Sequence, residues 1–137
     1  MKKRHALILV LLVLFFPIRL KADAFSFRHY KAEDGLASNI VRSIIQDRHG
    51  FMWFGTEDGL SRFDGYTFRQ FKMNRSSQYS LGSNYISTLL EDNKGDIWIG
   101  TDDGVYIYHP SSDIFTHFNV KASGVSISSS VNNIVED

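Results

Sequence analysis

Apolar positions along this chain come in short alternating bursts divided by polar turns, and the bursts recur 45 residues apart. Asp47-Arg48-His49-Gly50-Phe51-Met52-Trp53-Phe54-Gly55-Thr56 returns as Asp92-Asn93-Lys94-Gly95-Asp96-Ile97-Trp98-Ile99-Gly100-Thr101. The lead-in occurs three times: Ser38, Val41, Ile44 and Asp47; Ser83, Ile86, Leu89 and Asp92; Ser128, Val131, Ile134 and Asp137. A unit repeating at this interval cannot bury its own apolar faces and must stack on its neighbours. The pattern predicts four short strands per unit, at about Ile40–Gln46, Phe51–Thr56, Gly59–Asp64 and Thr67–Lys72 in the first. In the second they fall at about Tyr85–Glu91, Ile97–Thr101, Gly104–Tyr108 and Ile114–Phe118. The two Asp-x-x-Gly segments read as tight hairpins, with the aspartate bonding nearby amides and the glycine supplying positive φ. Asp58-Gly59 and Asp103-Gly104 make the next turn, and Asp64-Gly65 the one after. In the second unit that last turn becomes Pro110-Ser111-Ser112-Asp113, which moves Phe68 and Phe71 onto Phe115 and Phe118 at a spacing of 47.

Val41, Ile44 and Ile45 would also fit one face of a helix, but the runs are short, rich in β-branched residues and bounded by turns. Met52-Trp53-Phe54 and Ile97-Trp98-Ile99 are apolar on both faces, which calls for a sheet covered on both sides. Radially packed blades supply such cover, and a period near 45 residues with four strands fits them. The expectation is an all-β, incomplete β-propeller with two four-stranded antiparallel blades. Phe27-Arg28-His29-Tyr30-Lys31 echoes Phe68-Arg69-Gln70-Phe71-Lys72 and is expected as an orphan outer strand. Residues from Ser128 onward are expected to supply the first strand of a third blade. The repeats run over about 38–82 and 83–127, inside a partial propeller at 25–137.

Residues 1–24 stand apart. A basic start (Lys2, Lys3, Arg4, His5) precedes an apolar run from Ala6 to Phe16, then Pro17 and the small-residue site Ala22-Asp23-Ala24. This is the layout of a secretory signal peptide, expected as a signal-peptide helix preceding the propeller, with an uncleaved anchor as the alternative. The chain has no cysteine, so disulfides and lipid attachment at cysteine are excluded. Export without disulfides fits a bacterial periplasm. Cleavage after Ala24 would leave ten basic against 14 acidic side chains, and no basic patch points to nucleic acid.

Few residues suggest chemistry. Glu57-Asp58 and Asp102-Asp103 recur at equivalent positions and read as turn formers. Asp92 to Asp96 lacks the ligand ladder of a calcium loop. His29, His49, His109 and His117 lack zinc spacing and read as surface loop residues. Trp53 and Trp98 read as core rather than sugar platforms. Arg42, Arg62, Arg69 and Arg75 do not repeat and are the places to look for ligand chemistry. The Ser126–Ser130 stretch reads as a loop. No catalytic residue, cofactor site or metal site is expected. The repeat signature is Asp47, Gly50, Trp53, Gly55, Thr56 and Gly59, with Asp92, Gly95, Trp98, Gly100, Thr101 and Gly104.

Leu36-Ala37-Ser38-Asn39-Ile40-Val41, Gly50 through Leu60 and Phe63-Asp64-Gly65, with their second copy from Leu81 to Val105, resemble the two-component regulator propeller repeat. Phe27 to Leu36 resembles the start of the sensor region of hybrid two-component histidine kinases. The resemblance implies a periplasmic, carbohydrate-responsive sensor on the outer side of the inner membrane. It also implies an oligosaccharide ligand, a homodimeric parent, and kinase, receiver and DNA-binding domains that this chain lacks. On that reading the chain is an amino-terminal piece without enzyme activity, and its open sheet faces make it prone to aggregate. The alternatives are a propeller glycoside hydrolase or lyase, and a scaffold for protein partners. The Asp47–Gly50 and Asp92–Gly95 spacings of three differ from the sialidase Asp-box spacing of two.

Overall fold

The computed structural model describes residues 26–118 and 130–136. The expected signal peptide, most of the Ser126–Ser130 stretch and the expected start of the third repeat at Ser128 lie outside the described residues. A short 3-10 helix at Ala32–Asp34 is followed by β1 (Val41–Gln46), β2 (Met52–Thr56), β3 (Gly59–Phe63) and β4 (Phe68–Phe71). The second unit comprises β5 (Ile86–Glu91), β6 (Ile97–Thr101), β7 (Gly104–His109) and β8 (Ile114–His117). Each set of four forms an antiparallel meander in chain order. The registers match across the repeat: Gln46 pairs with Met52 and Glu91 with Ile97, while Thr56 pairs with Gly59 and Thr101 with Gly104. Even the irregularity recurs, between Val41 and Ser43 and between Ile86 and Thr88. A bulge at this point bends the inner strand and raises its twist.

The two sheets pack face to face, with β5 lying against β1 and β2. Trp53 and Phe71 of the first sheet meet Tyr108 and Phe115 of the second, with ring centroids 5.2–5.5 Å apart. Ile86, Ile97 and Ile99 are fully enclosed in the same core. The double-sided strands therefore alternate as their pleat dictates. Trp53 faces the second sheet and is buried, whereas Met52 and Phe54 face away and are half-buried. In β6 the order inverts: Ile97 and Ile99 face the first sheet, and Trp98 faces away.

Two expectations need correction. Residues 26–31 form no strand, and 130–136 form none either. A strand needs a ladder partner, and neither segment has one among the described residues. Both nevertheless occupy the expected places by side-chain packing. Tyr30 lies 4.9 Å from Phe63 and 5.4 Å from Phe68, as Phe71 lies against Tyr108 and Phe115 one repeat later. At the other end, Val131 N–H donates to Thr101 O at 2.9 Å. Asn93 N–H donates to Glu136 Oε1 at 3.3 Å, the counterpart of Arg48 N–H to Glu91 Oε2 at 3.0 Å.

Gly55 marks the closest approach of the sheets. A methyl group placed there would sit 2.6 Å from Ile86 Cγ2, a rigid β-branched side chain with nowhere to move. Gly55→Ala is expected to destabilise the chain by about 1–3 kcal/mol through overpacking. Adding Ile86→Ala should recover part of that cost, because the clash disappears with the isoleucine. Urea titration of the two single variants and the double variant checks this; strictly additive losses would contradict the close approach.

Candidate functional site

The repeat signature forms the same construction twice. Asp47 Oδ1 accepts from the backbone N–H groups of His49 and Phe51 at 2.9 Å each, and its Oδ2 accepts from Trp53 Nε1 at 2.8 Å. Asp92 takes Lys94, Asp96 and Trp98 Nε1 in the same way, all at 2.9 Å. Gly50 and Gly95 close the two hairpins at φ 89° and 90°. Thr56 and Thr101, both fully buried, donate to the carbonyls of Gly59 and Gly104 at 2.7 and 2.9 Å. Each threonine oxygen also accepts from the amide two residues on, Asp58 or Asp103. Burial pushes the Asp92 carboxyl up, but the bonds from Trp98 and the turn amides outweigh it and hold the group below its ordinary range. The bonds to both Asp92 oxygens are thus spent inside the turn.

Trp98 differs from Trp53 in one respect. Trp53 is enclosed between the sheets, while Trp98 is only half-buried. Its ring packs edge-on to Phe118 at 4.9 Å, whereas Trp53 stacks on the equivalent Phe71 at 5.8 Å. Its outward side lines a cavity of about 300 Å³ with Leu90, Ile134 and Val135. The period-2 pattern placed Trp98 in the core; among the described residues, the side facing away from the first sheet meets Phe118 and the 134–136 segment.

The four non-repeating arginines are dispersed. Arg42 pairs with Glu57 and lies over the Tyr85 ring. Arg62 lies over Phe51 and Trp53. Arg69 bridges the sheets to Asp113 at 2.7 Å, and Asp113 also accepts from Tyr108 Oη at 2.8 Å. Arg75 sits on the 72–85 connection and lines a separate recess of about 460 Å³. Arg48, which the sequence reading passed over, is a second clasp: its guanidinium donates to Glu91 at 2.7 Å and to the carbonyls of Asp92 and Asn93. Its counterpart in the second repeat is Asn93, and that departure from the repeat was the available signal.

The acidic pairs serve the turns and their surroundings. Lys72 and Asn84 both donate to Asp58, and Ser83 to Asp102. Two histidines depart from the loop assignment. His109 ends β7, with Nδ1 3.0 Å from Asp96 Oδ2 and Nε2 2.9 Å from Thr116 Oγ1. His117 ends β8, its ring 4.8 Å from that of Tyr106. His29 and His49 are exposed outside the strands.

The recess beside Arg75 brings together residues the sequence left apart. Asn74, Gln78 and Asp103 share its lining with Tyr106 and His117. It lies at the end of the sheets that carries the β2–β3 and β6–β7 turns and the β4–β5 connection.

The family model for the two component regulator propeller matches residues 35–58 and 80–103, each span running from the segment before the inner strand through the turn after the Gly-Thr pair. Both repeats thus carry a segment that matches the two component regulator propeller. Among curated proteins it is 40% identical over 74 residues to the histidine kinase P4 of Formosa agariphila, covering 53% of this chain and 5% of that protein. Among solved structures, the extracellular domain of the hybrid two component system BT3049 of B. thetaiotaomicron superposes with a TM-score of 0.63 and 32% identity. That match covers 71% of this chain and 14% of that one. The extracellular domain of BT4673 from the same organism gives 0.57 and 26%, covering 70% and 14%. The two sheets are thus propeller blades, and this chain spans a small fraction of each relative's length.

Replacing Asp47 by Asn exchanges an acceptor for an N–H₂ group and removes the charge that three N–H donors share. We expect Asp47→Asn to cost about 1–3 kcal/mol, with Trp53 fluorescence shifting to the red as the indole loosens. Unchanged emission and stability would show that the turn does not hold the ring.

The Arg69 clasp makes a pH prediction. Its guanidinium, then Tyr108, hold the Asp113 carboxyl below the ordinary 3.8. The unfolded chain therefore takes up the proton first on acidification. The contribution is complete above about pH 4 and is lost as pH falls through the lower folded value. Arg69→Gln should lower stability slightly near pH 7, the pair being half exposed, leave it unchanged once Asp113 is protonated, and so flatten the acid limb of a stability–pH profile. An acid limb identical to that of the parent chain would contradict the clasp.

Proposed function

We propose that this chain forms part of the ligand-sensing propeller of an exported two-component sensor, and that the ligand is a carbohydrate. The likeness to extracellular domains of two-component systems, above all the 32% identity with a TM-score of 0.63, carries the reading. The chain's own residues support it. Bonds of the signature residues are spent on turns and sheet stacking, which leaves recognition to the side chains that do not repeat. Leader cleavage after Ala24 would deliver the blades to the periplasm. Kinase output belongs to other parts of such a sensor. Signalling then requires that the sugar bind one arrangement of the paired sensor subunits better than another, because equal affinity shifts no equilibrium.

A glycan array probed with the purified exported chain tests the reading. Saturable binding to a defined group of oligosaccharides, with the sugar recovered unchanged, is the expected result. Turnover of the bound sugar would move the chain to the hydrolases or lyases. Silence across the array, with capture of a protein partner instead, would favour a scaffold.

A further inference from the structure

The recess under the 72–85 connection exists because the two repeats disagree at three coupled positions. In the first repeat the equivalent place is closed: Gln70 Nε2 donates to Gly35 O at 2.8 Å, and Ala37 N–H donates to Ser61 Oγ at 2.9 Å. In the second repeat Gln70 becomes His117, Ser61 becomes Tyr106 and Ala37 becomes Gly82. The last change is required by the second, since a methyl group at Gly82 would collide with the Tyr106 hydroxyl. The connection also lengthens outward, held by its own bonds from Ser80 Oγ to Asn74 O and Ser77 O at 2.8 and 3.0 Å. A recess of about 460 Å³ results, within the range of about 300–1,000 Å³ that ligand sites occupy.

Its charged groups are of both signs. Arg75 is exposed on the rim. Asp103 stands at the wall, 3.4 Å from the Tyr106 hydroxyl, and His117 offers a ring N–H in either tautomer. Asn74 and Gln78 add their amides to the lining. A ligand matched to this lining carries one acid group and several hydroxyls spread over a compact body.

We infer that this recess binds a sugar acid, with Arg75 holding its carboxylate and Asp103 accepting from its hydroxyls. The inference rests on the carbohydrate reading above and adds to it a place and a charge. Guanidinium–carboxylate pairing is directional and bidentate, so the arginine selects the acid as well as attracting it.

Isothermal titration of the full chain with digalacturonate and diglucuronate, and with galactobiose and cellobiose as neutral counterparts, tests it. An acid disaccharide is expected to bind at least tenfold more tightly than its neutral counterpart. Arg75→Gln, in an exposed loop where folding is not at stake, should erase that preference. Gln78→Ala should weaken acid and neutral sugars alike. Neutral sugars bound equally well and untouched by Arg75→Gln would overturn the inference and leave the carbohydrate reading standing. No binding of any of the four sugars would overturn it as well, and the glycan array then decides the broader reading. Arg75-dependent binding of free glutamate in place of the sugars would replace the ligand class and so overturn it too.

Discussion

The indole of Trp53 is where turn, strand and sheet stacking meet, and the rest of the arrangement depends on its being held there. Removing a buried aromatic ring of this size costs about 3–5 kcal/mol, whereas a hydrogen bond to a charged acceptor contributes about 1.5–3 kcal/mol. Packing therefore dominates the stability, and the bond from Nε1 to Asp47 fixes the orientation. Because the same carboxylate ties the hairpin amides, the ring cannot tilt without opening the turn. On its other side the ring rests on Phe71 and Tyr108, so an error in the turn is passed directly to the neighbouring sheet.

Stacking at this closeness needs a gap in the first sheet, and Gly55 provides it two residues after the tryptophan. The pleat places Gly55 and Trp53 on the same face. The small and the large residue thus sit side by side, and Ile86 fills the hollow between strands. Two clasps at the margins, Arg48 to Glu91 and Arg69 to Asp113, then fix the lateral register. Exposed ion pairs of this kind contribute little energy. They tie the two sheets together at their margins.

The strands were legible because local signals and the repeat agreed at every turn. Gly50 and Gly95 demand positive φ, Met52-Trp53-Phe54 demands cover on two sides, and the second copy checks the first. What was not legible follows from the same source. Alternation reports which face a side chain is on and is silent on what covers it, so Trp98 read as core and proved half-buried. Phe27 to Lys31 carries a strand-like pattern, but a ladder is a property of two segments. The bond from Trp53 to Asp47 spans six residues around a turn, and its recurrence at Asp92 and Trp98 was the clue to it. Residues around the recess left only an indirect trace: Ala37 and Ser61 change together to Gly82 and Tyr106.

The two copies agree at scaffold positions and differ where one of them has specialised. Where they agree, as at Asp47, Trp53 and Thr56 with Asp92, Trp98 and Thr101, the residues make bonds that both blades share. Positions where they differ fall into two kinds. Arg48 and Arg69 differ from their counterparts because they reach across to the second sheet, so stacking absorbs them. Tyr106, His117 and Arg75 are not absorbed in that way. Tyr106 and its glycine partner exchange a closed, hydrogen-bonded packing for a larger ring and a hollow, which by stability alone is the poorer choice. A change that opens space and surrounds it with unlike polar groups is the form that selection for binding takes on a repeating scaffold.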